Sequence, residues 1–155
     1  MPRRSAGILL YRHSPNGPEV LLVHPGGPFW ANKDHGAWSI PKGEIDPDEE
    51  PSTAALREFA EETGTALTGA DLLPLGEVRQ KGGKVVLAFA VEGDLDPALI
   101  RSNLVEIPWP PRSGRLLTIP EIDRAAWFSL ADARTRIVER QAEFLDRLEQ
   151  HLGSA

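Results

Sequence analysis

Apolar residues along this chain fall into short runs separated by Gly- and Pro-rich punctuation. Residues 6–11, Ala-Gly-Ile-Leu-Leu-Tyr, read as a buried strand, and residues 19–24 as a second. Between them Ser14-Pro15-Asn16-Gly17-Pro18 is dense in turn formers, so the pair is predicted to form a hairpin. Residues 25–36 read as a loop, and residues 37–40 as a short strand stopped by Pro41. Residues 51–63 predict a helix, with Pro51 in its first turn and Gly64 just past its end.

Two further strands, 73–80 and 84–91, flank the turn Lys81-Gly82-Gly83. Residues 94–113 are expected to be mostly irregular, given Pro108, Pro110 and Pro111. Residues 125–128 read as a strand, and 130–137 and 141–151 as helices. In the last helix Phe144, Leu145, Leu148 and Leu152 recur at helical spacing. The mixture predicts an α+β fold, one mixed sheet covered by helices on both faces.

The helix at 51–63 carries the chemistry. Successive residues turn by about 100°, so Glu58, Glu61 and Glu62 share one face at i, i+3 and i+4. Ala55, Phe59 and Thr63 point the other way, with Leu56 and Ala60 beside them. The expectation is a helix that buries one side and presents three carboxylates on the other. That arrangement is unfavourable alone, because like charges at i, i+4 repel and the helix C-terminus favours cations. Arg57 can pair with Glu61, and a hard divalent cation would compensate better.

A row of acids is usually just a solvated helix face. The surrounding residues argue otherwise. The stretch from Gly43 to Thr65 resembles the Nudix box: Gly, five residues, Glu, seven residues, Arg-Glu, an apolar residue, any residue, Glu-Glu, any residue, Gly, then an apolar residue. Gly43, Glu49, Arg57, Glu58, Glu61, Glu62 and Gly64 fill all fixed positions, and Phe59 the first apolar one. With each residue type used at several per cent, a chance match at a given start has odds far below about one in a million. Thr65 departs from the aliphatic residue preferred there. Trp38-Ser39-Ile40-Pro41-Lys42 also resembles the family's entry into its box, and the element order resembles a Nudix-like α/β/α sandwich with a catalytic loop-helix-loop.

The resemblance implies a pyrophosphohydrolase that uses Mg2+, with Mn2+ able to substitute. Water would attack phosphorus in a diphosphate linked to a nucleoside. It implies that Gly43, Glu58, Glu61 and Glu62 serve the metal, and that Arg57 and Glu49 orient the carboxylates, Glu49 and Gly64 being structural. Relatives often carry another acid before a late strand. Glu121 is the candidate, with Asp123 as runner-up. Lys42, Lys33, Arg79, Lys84, Arg112 and Arg115 are candidate phosphate contacts, and Trp30 and Trp109 candidate base-stacking residues. His24 and His35 lack a partner at metal-binding spacing and are set aside.

Composition narrows the setting. A chain of 155 residues suits one domain, expected over 1–155. The absence of cysteine removes disulfides and thiolate metal sites and fits a reducing cytoplasm. A net charge of −6 argues against broad nucleic-acid binding but permits an anionic small substrate held through a metal. Met1-Pro2-Arg3-Arg4 precedes too short an apolar run for a secretory leader, and no segment approaches a membrane span. The expected partner is a nucleotide-type small molecule, with a homodimer left open. Dinucleoside polyphosphates and modified nucleoside triphosphates are favoured over nucleotide sugars and inositol polyphosphates by the lack of an added domain.

Overall fold

The computed structural model describes residues 3–153. Met1 and Pro2 of the basic N-terminal tetrapeptide, and Ser154 and Ala155, lie outside the described residues. The elements run β1 (Arg4–Ser14), β2 (Gly17–Pro25), β3 (Lys42–Glu44), α1 (Pro51–Thr63), β4 (Leu73–Arg79), β5 (Val85–Glu92), β6 (Leu104–Pro108), β7 (Leu116–Pro120), β8 (Ile122–Ser129), α2 (Leu130–Arg136) and α3 (Ala142–Gly153). One-turn 3-10 segments precede β6 and α3.

The main sheet has the order β4-β5-β1-β2-β8, with β3 also paired to β1. β1 runs parallel to β5, and the other pairings are antiparallel. Its side chains are buried from Ser5 to Leu10, as a central strand covered on both faces requires. Ala6, Ile8 and Leu10 pack with Leu21, Val91 and the α1 residues Ala54, Ala55 and Phe59. Leu9 points the other way and packs with Val20, Leu22, Trp38, Ala133, Phe144, Leu145 and Leu148. The expected layers, helices on both faces of a mixed sheet, are present.

The sheet splits where the site forms. β1 pairs with β2 only through Tyr11–Ser14, while its start pairs with β3 through Ser5–Gly7. Residues 39–41 thread the gap: Ser39 exchanges backbone hydrogen bonds with Val23, and the Pro41 carbonyl accepts from Ile8 N–H at 3.1 Å.

One expectation of a strand needs correction. Residues 37–40 form no strand. Trp38 makes one bridge to Ile137 and Ser39 one to Val23, because the segment crosses between two different elements and follows neither. Residues 94–113 are mostly irregular, as expected, but they include one short strand, β6, which pairs with β7 in a two-stranded ribbon. Pro108 and Pro120 stand at the ends of these strands, where a missing N–H is tolerated.

Candidate active site

Helix α1 matches the range expected from sequence. Pro51 begins it, and Gly64 ends it in the left-handed conformation at φ 81°, where a side chain would be strained. The segment before β6 satisfies carbonyls at its C-terminus: Arg101 N–H donates to the Thr63 carbonyl at 2.8 Å and Asn103 N–H to that of Glu61 at 3.0 Å.

Arg57 organises the solvent side of the box. Its Nε and Nη2 grip the two Glu49 oxygens at 2.9 and 3.0 Å, a bidentate geometry. Nη1 donates to Glu58 at 2.8 Å and to Glu61 at 3.3 Å, and Nη2 to the Glu44 carbonyl at 3.0 Å. The hydrogen bond to Glu49 leads in raising the Arg57 pKa, and Arg57 in turn lowers that of Glu49. Glu49 also accepts the Asp46 N–H at 3.0 Å, so it ties the loop before α1 to the helix. Gly43 is glycine for space: a Cβ there would run into the Glu58 carboxyl group.

The three acids do not share one exposed face. The Glu61 side chain is 45% exposed, that of Glu58 13%, and Glu62 only 3% overall. Glu62 turns beneath β3, where its Oε1 accepts the Lys42 N–H at 3.2 Å. Burial, and then repulsion from Glu121, push its pKa up to about 9. Burial also raises Glu58, against the pull of Arg57. Lys42 is shifted down, first by burial and then by Lys84, while Glu62, Glu121 and Glu58 pull it back up.

Glu121 is a one-residue break between β7 and β8, clamped on both sides. Its N–H donates to the Asn103 carbonyl and its own carbonyl accepts from Gly26, both at 2.9 Å. The Asn103 side-chain amide donates to Glu121 Oε1 at 3.0 Å. Asn103 therefore joins the end of α1 to Glu121, a link of 18 residues that sequence inspection did not find.

Lys42, Glu62, Glu121 and Trp30 line a pocket of about 210 Å3 together with Gln80, Ile122, Val138 and Gln141. A larger groove of about 950 Å3 runs along residues 65–73 and 90–94. It contains none of the box glutamates, so the smaller pocket is the better candidate.

The other sequence candidates scatter. Lys33 sets its Nζ over the exposed Phe29 ring at 3.4 Å and does not line the pocket. Arg79 is exposed and also outside the lining, whereas Lys84 is close enough to Lys42 to lower its pKa. Arg112 and Arg115 are exposed in the connection between β6 and β7, and Trp109 stands at the same end. His24 is a fully buried brace between Asp123 (2.9 Å) and the Lys33 carbonyl (2.6 Å), and Asp123 does not line the pocket. His35 is exposed.

The structure thus has an α/β/α layering around a split sheet, with a glutamate-rich helix closed by glycine. The NUDIX domain family model matches residues 1–148, and the chain belongs to that family. A protein named RNA pyrophosphohydrolase from Caulobacter vibrioides (strain NA1000 / CB15N) is 40% identical over 67 residues, 40% of this chain and 37% of its own length. The namesake from Gluconacetobacter diazotrophicus is 52% identical over 66 residues, 41% of this chain and 37% of its own length. These matches therefore span well under half of the curated relatives. Among solved structures, a C. elegans Ap4A hydrolase binary complex aligns with TM-score 0.67 and 21% identity, over 97% of this chain and 99% of that one. The NUDIX domain of Shewanella oneidensis NrtR complexed with ADP ribose aligns with TM-score 0.65 and 18% identity, over 98% and 89%. Both show a shared fold.

Proposed function

We propose that this chain hydrolyses a phosphoanhydride bond in a nucleoside-diphosphate-linked small molecule, with a divalent cation, Mg2+ foremost. The observation that carries the reading is the buried Glu62 beside Glu121 and Lys42, on the wall of a pocket that also holds Trp30. Family membership supports the same chemistry.

The residues suit a hard cation. Glu62 is a buried acid with more negative neighbours than Lys42 offsets, and a divalent ion would favour its charged form. Among the described residues no three acids or histidines already form a cage, since Arg57 holds Glu58 and Glu61. An open set suits magnesium, which keeps waters and substrate phosphates as ligands. Glu58, Glu61, Glu62 and the Gly43 carbonyl would hold it. When bound, it supplies charge neutralisation at the phosphate oxygens and lowers the pKa of water.

The chain's own groups do the rest. Arg57 and Glu49 fix the helix against the loop before it. Lys42 places a cation beside the Glu62–Glu121 pair, where a phosphate would enter. Glu121, with one oxygen held by Asn103, is positioned to accept the proton of an attacking water. Trp30 offers a face for the base.

The relatives named RNA pyrophosphohydrolase give a second reading, a triphosphate at an RNA 5′ end, favoured by the local identity. The net charge of −6 favours the small molecule. A turnover panel covering both classes tests the proposal. Hydrolysis should vanish in excess chelator and return with Mg2+ or Mn2+. Full activity in chelator would refute it.

A further inference from the structure

Gln141 is completely buried, just ahead of α3, and none of its amide atoms is without a partner. Its Oε1 accepts the backbone N–H of Ile40 at 3.1 Å. A backbone N–H can only donate, so that arm of the amide must be oxygen and the other NH2. The NH2 donates to the Ser39 hydroxyl at 3.0 Å and to Gln80 Oε1 at 3.1 Å. Ser39 directs its own proton to the Ile40 carbonyl at 2.7 Å. One main-chain N–H thus sets the direction of the whole chain of bonds.

Gln80 stands at its end. Its oxygen is turned toward Gln141, so its Nε2 is turned away, with no partner among the described residues. Its backbone is fixed by Lys84, whose carbonyl accepts Gln80 N–H at 2.7 Å, and by Gly83 N–H, which donates to the Gln80 carbonyl at 3.1 Å. The side chain therefore leaves from a defined turn and lines the 210 Å3 pocket, which Trp30, Glu62 and Glu121 also line.

We infer that Gln80, oriented by Gln141, reads the exocyclic group at purine C6 or pyrimidine C4 and selects bases with a carbonyl oxygen there, guanine, hypoxanthine and uracil, over those with an amino group there, adenine and cytosine. The inference rests on the pocket being the nucleotide's site. Trp30 contributes a stacking face that every base can use, so it gives affinity without this selectivity. The amide discriminates: a carbonyl accepts its N–H, whereas an amino group leaves donors facing donors in a partly dry pocket.

The test is equilibrium binding of guanosine against adenosine diphosphate, and uridine against cytidine diphosphate, in calcium buffer without turnover. The parent should prefer the carbonyl base of each pair by about five- to tenfold, the worth of one neutral hydrogen bond. Gln80→Ala should bring each pair to within about twofold. Gln80→Glu, which has acceptors only, should invert the order. Gln141→Glu keeps the Ile40 contact but has no N–H to give, so Gln80 should turn round and the preference should invert from a distance. Melting curves confirm folding, and the Gln80 variants carry the test if Gln141→Glu does not fold. No binding, equal binding by the parent, or a preference unmoved in both Gln80 variants overturns the inference. Selective binding with no turnover of any substrate in the panel with Mg2+ or Mn2+ would support it while refuting the proposed function.

Discussion

The two sides of α1 handle negative charge in opposite ways. On the solvent side, Glu49, Glu58 and Glu61 converge on Arg57, which grips Glu49 in a bidentate pair and also donates to the other two acids. On the buried side, Glu62 has one backbone N–H and the displaced Lys42, and faces Glu121. The first arrangement is a finished structure, able to hold a loop on a helix. The second keeps two acids close together in a buried setting, with Lys42 beside them. Adjacent residues on one helix thus differ in what covers them, since Glu61 is half-exposed beside Arg57 and Glu62 is buried under β3.

The largest expected effect breaks the comparison at Glu62. Glu62→Gln should lower kcat/KM at least about a hundredfold, near 2.7 kcal/mol of transition-state stabilisation. Stability should move the other way. The folded pKa of Glu62 is raised to about 9 from the ordinary 4.5, so folding favours its protonated form. That contribution is full below about pH 4.5 and is lost as pH rises through about 9. In metal-free buffer the parent should therefore lose thermal stability toward high pH relative to Glu62→Gln, and added Mg2+ should restore part of it. Normal turnover with an unchanged pH dependence of melting would make Glu62 an ordinary acid.

Glu121 sharpens the comparison. Glu121→Gln should lower kcat about tenfold or more with KM nearly unchanged, because a proton acceptor matters mainly in the transition state. It should also lower the Glu62 pKa, by removing the repulsion that ranks after burial in raising it. A base on the helix predicts instead little loss at Glu121 and a large one at Glu58 or Glu61. Steady-state kinetics on the glutamine variants, with metal affinity measured separately, decide between them. Parent-like turnover and metal affinity in Glu121→Gln would remove it from the mechanism.

What was legible in sequence was local. The α1 range, the glycine at its end and the i, i+4 pairing of Arg57 with Glu61 follow from spacings within one helix. The layers follow from apolar runs and periodicity. The burial of Glu62 was not legible, because it depends on β3 crossing over the helix, and β3 exists only where β1 and β2 diverge. Gln141 reaches Ile40 across 101 residues, and no motif marks a glutamine for that task. The β6–β7 ribbon was hidden by prolines whose positions at strand ends are visible only once the register is known.

The smallest effect concerns that ribbon. Arg112 and Arg115 were attractive as phosphate contacts because they lie in a Gly-containing turn, and Arg112 does adopt a left-handed φ of 62°. Both are exposed, and neither lines the pocket. For a small nucleotide, replacing both with alanine should change kcat/KM by less than about twofold, since exposed charges at a distance are screened by salt. An RNA substrate changes the expectation, because a polyanion extending from the pocket passes over a wide surface. The double variant would then lose turnover at low salt, and its rate would depend less steeply on salt concentration. Measuring both variant and parent on a mononucleotide and on a 5′-triphosphate RNA, across a salt series, reads the two readings in one experiment. Parallel salt dependences on RNA would confine the ribbon to a structural role. A loss seen with the mononucleotide itself would mean that the ribbon closes over the site, and the boundary of the site would have to be redrawn to include it.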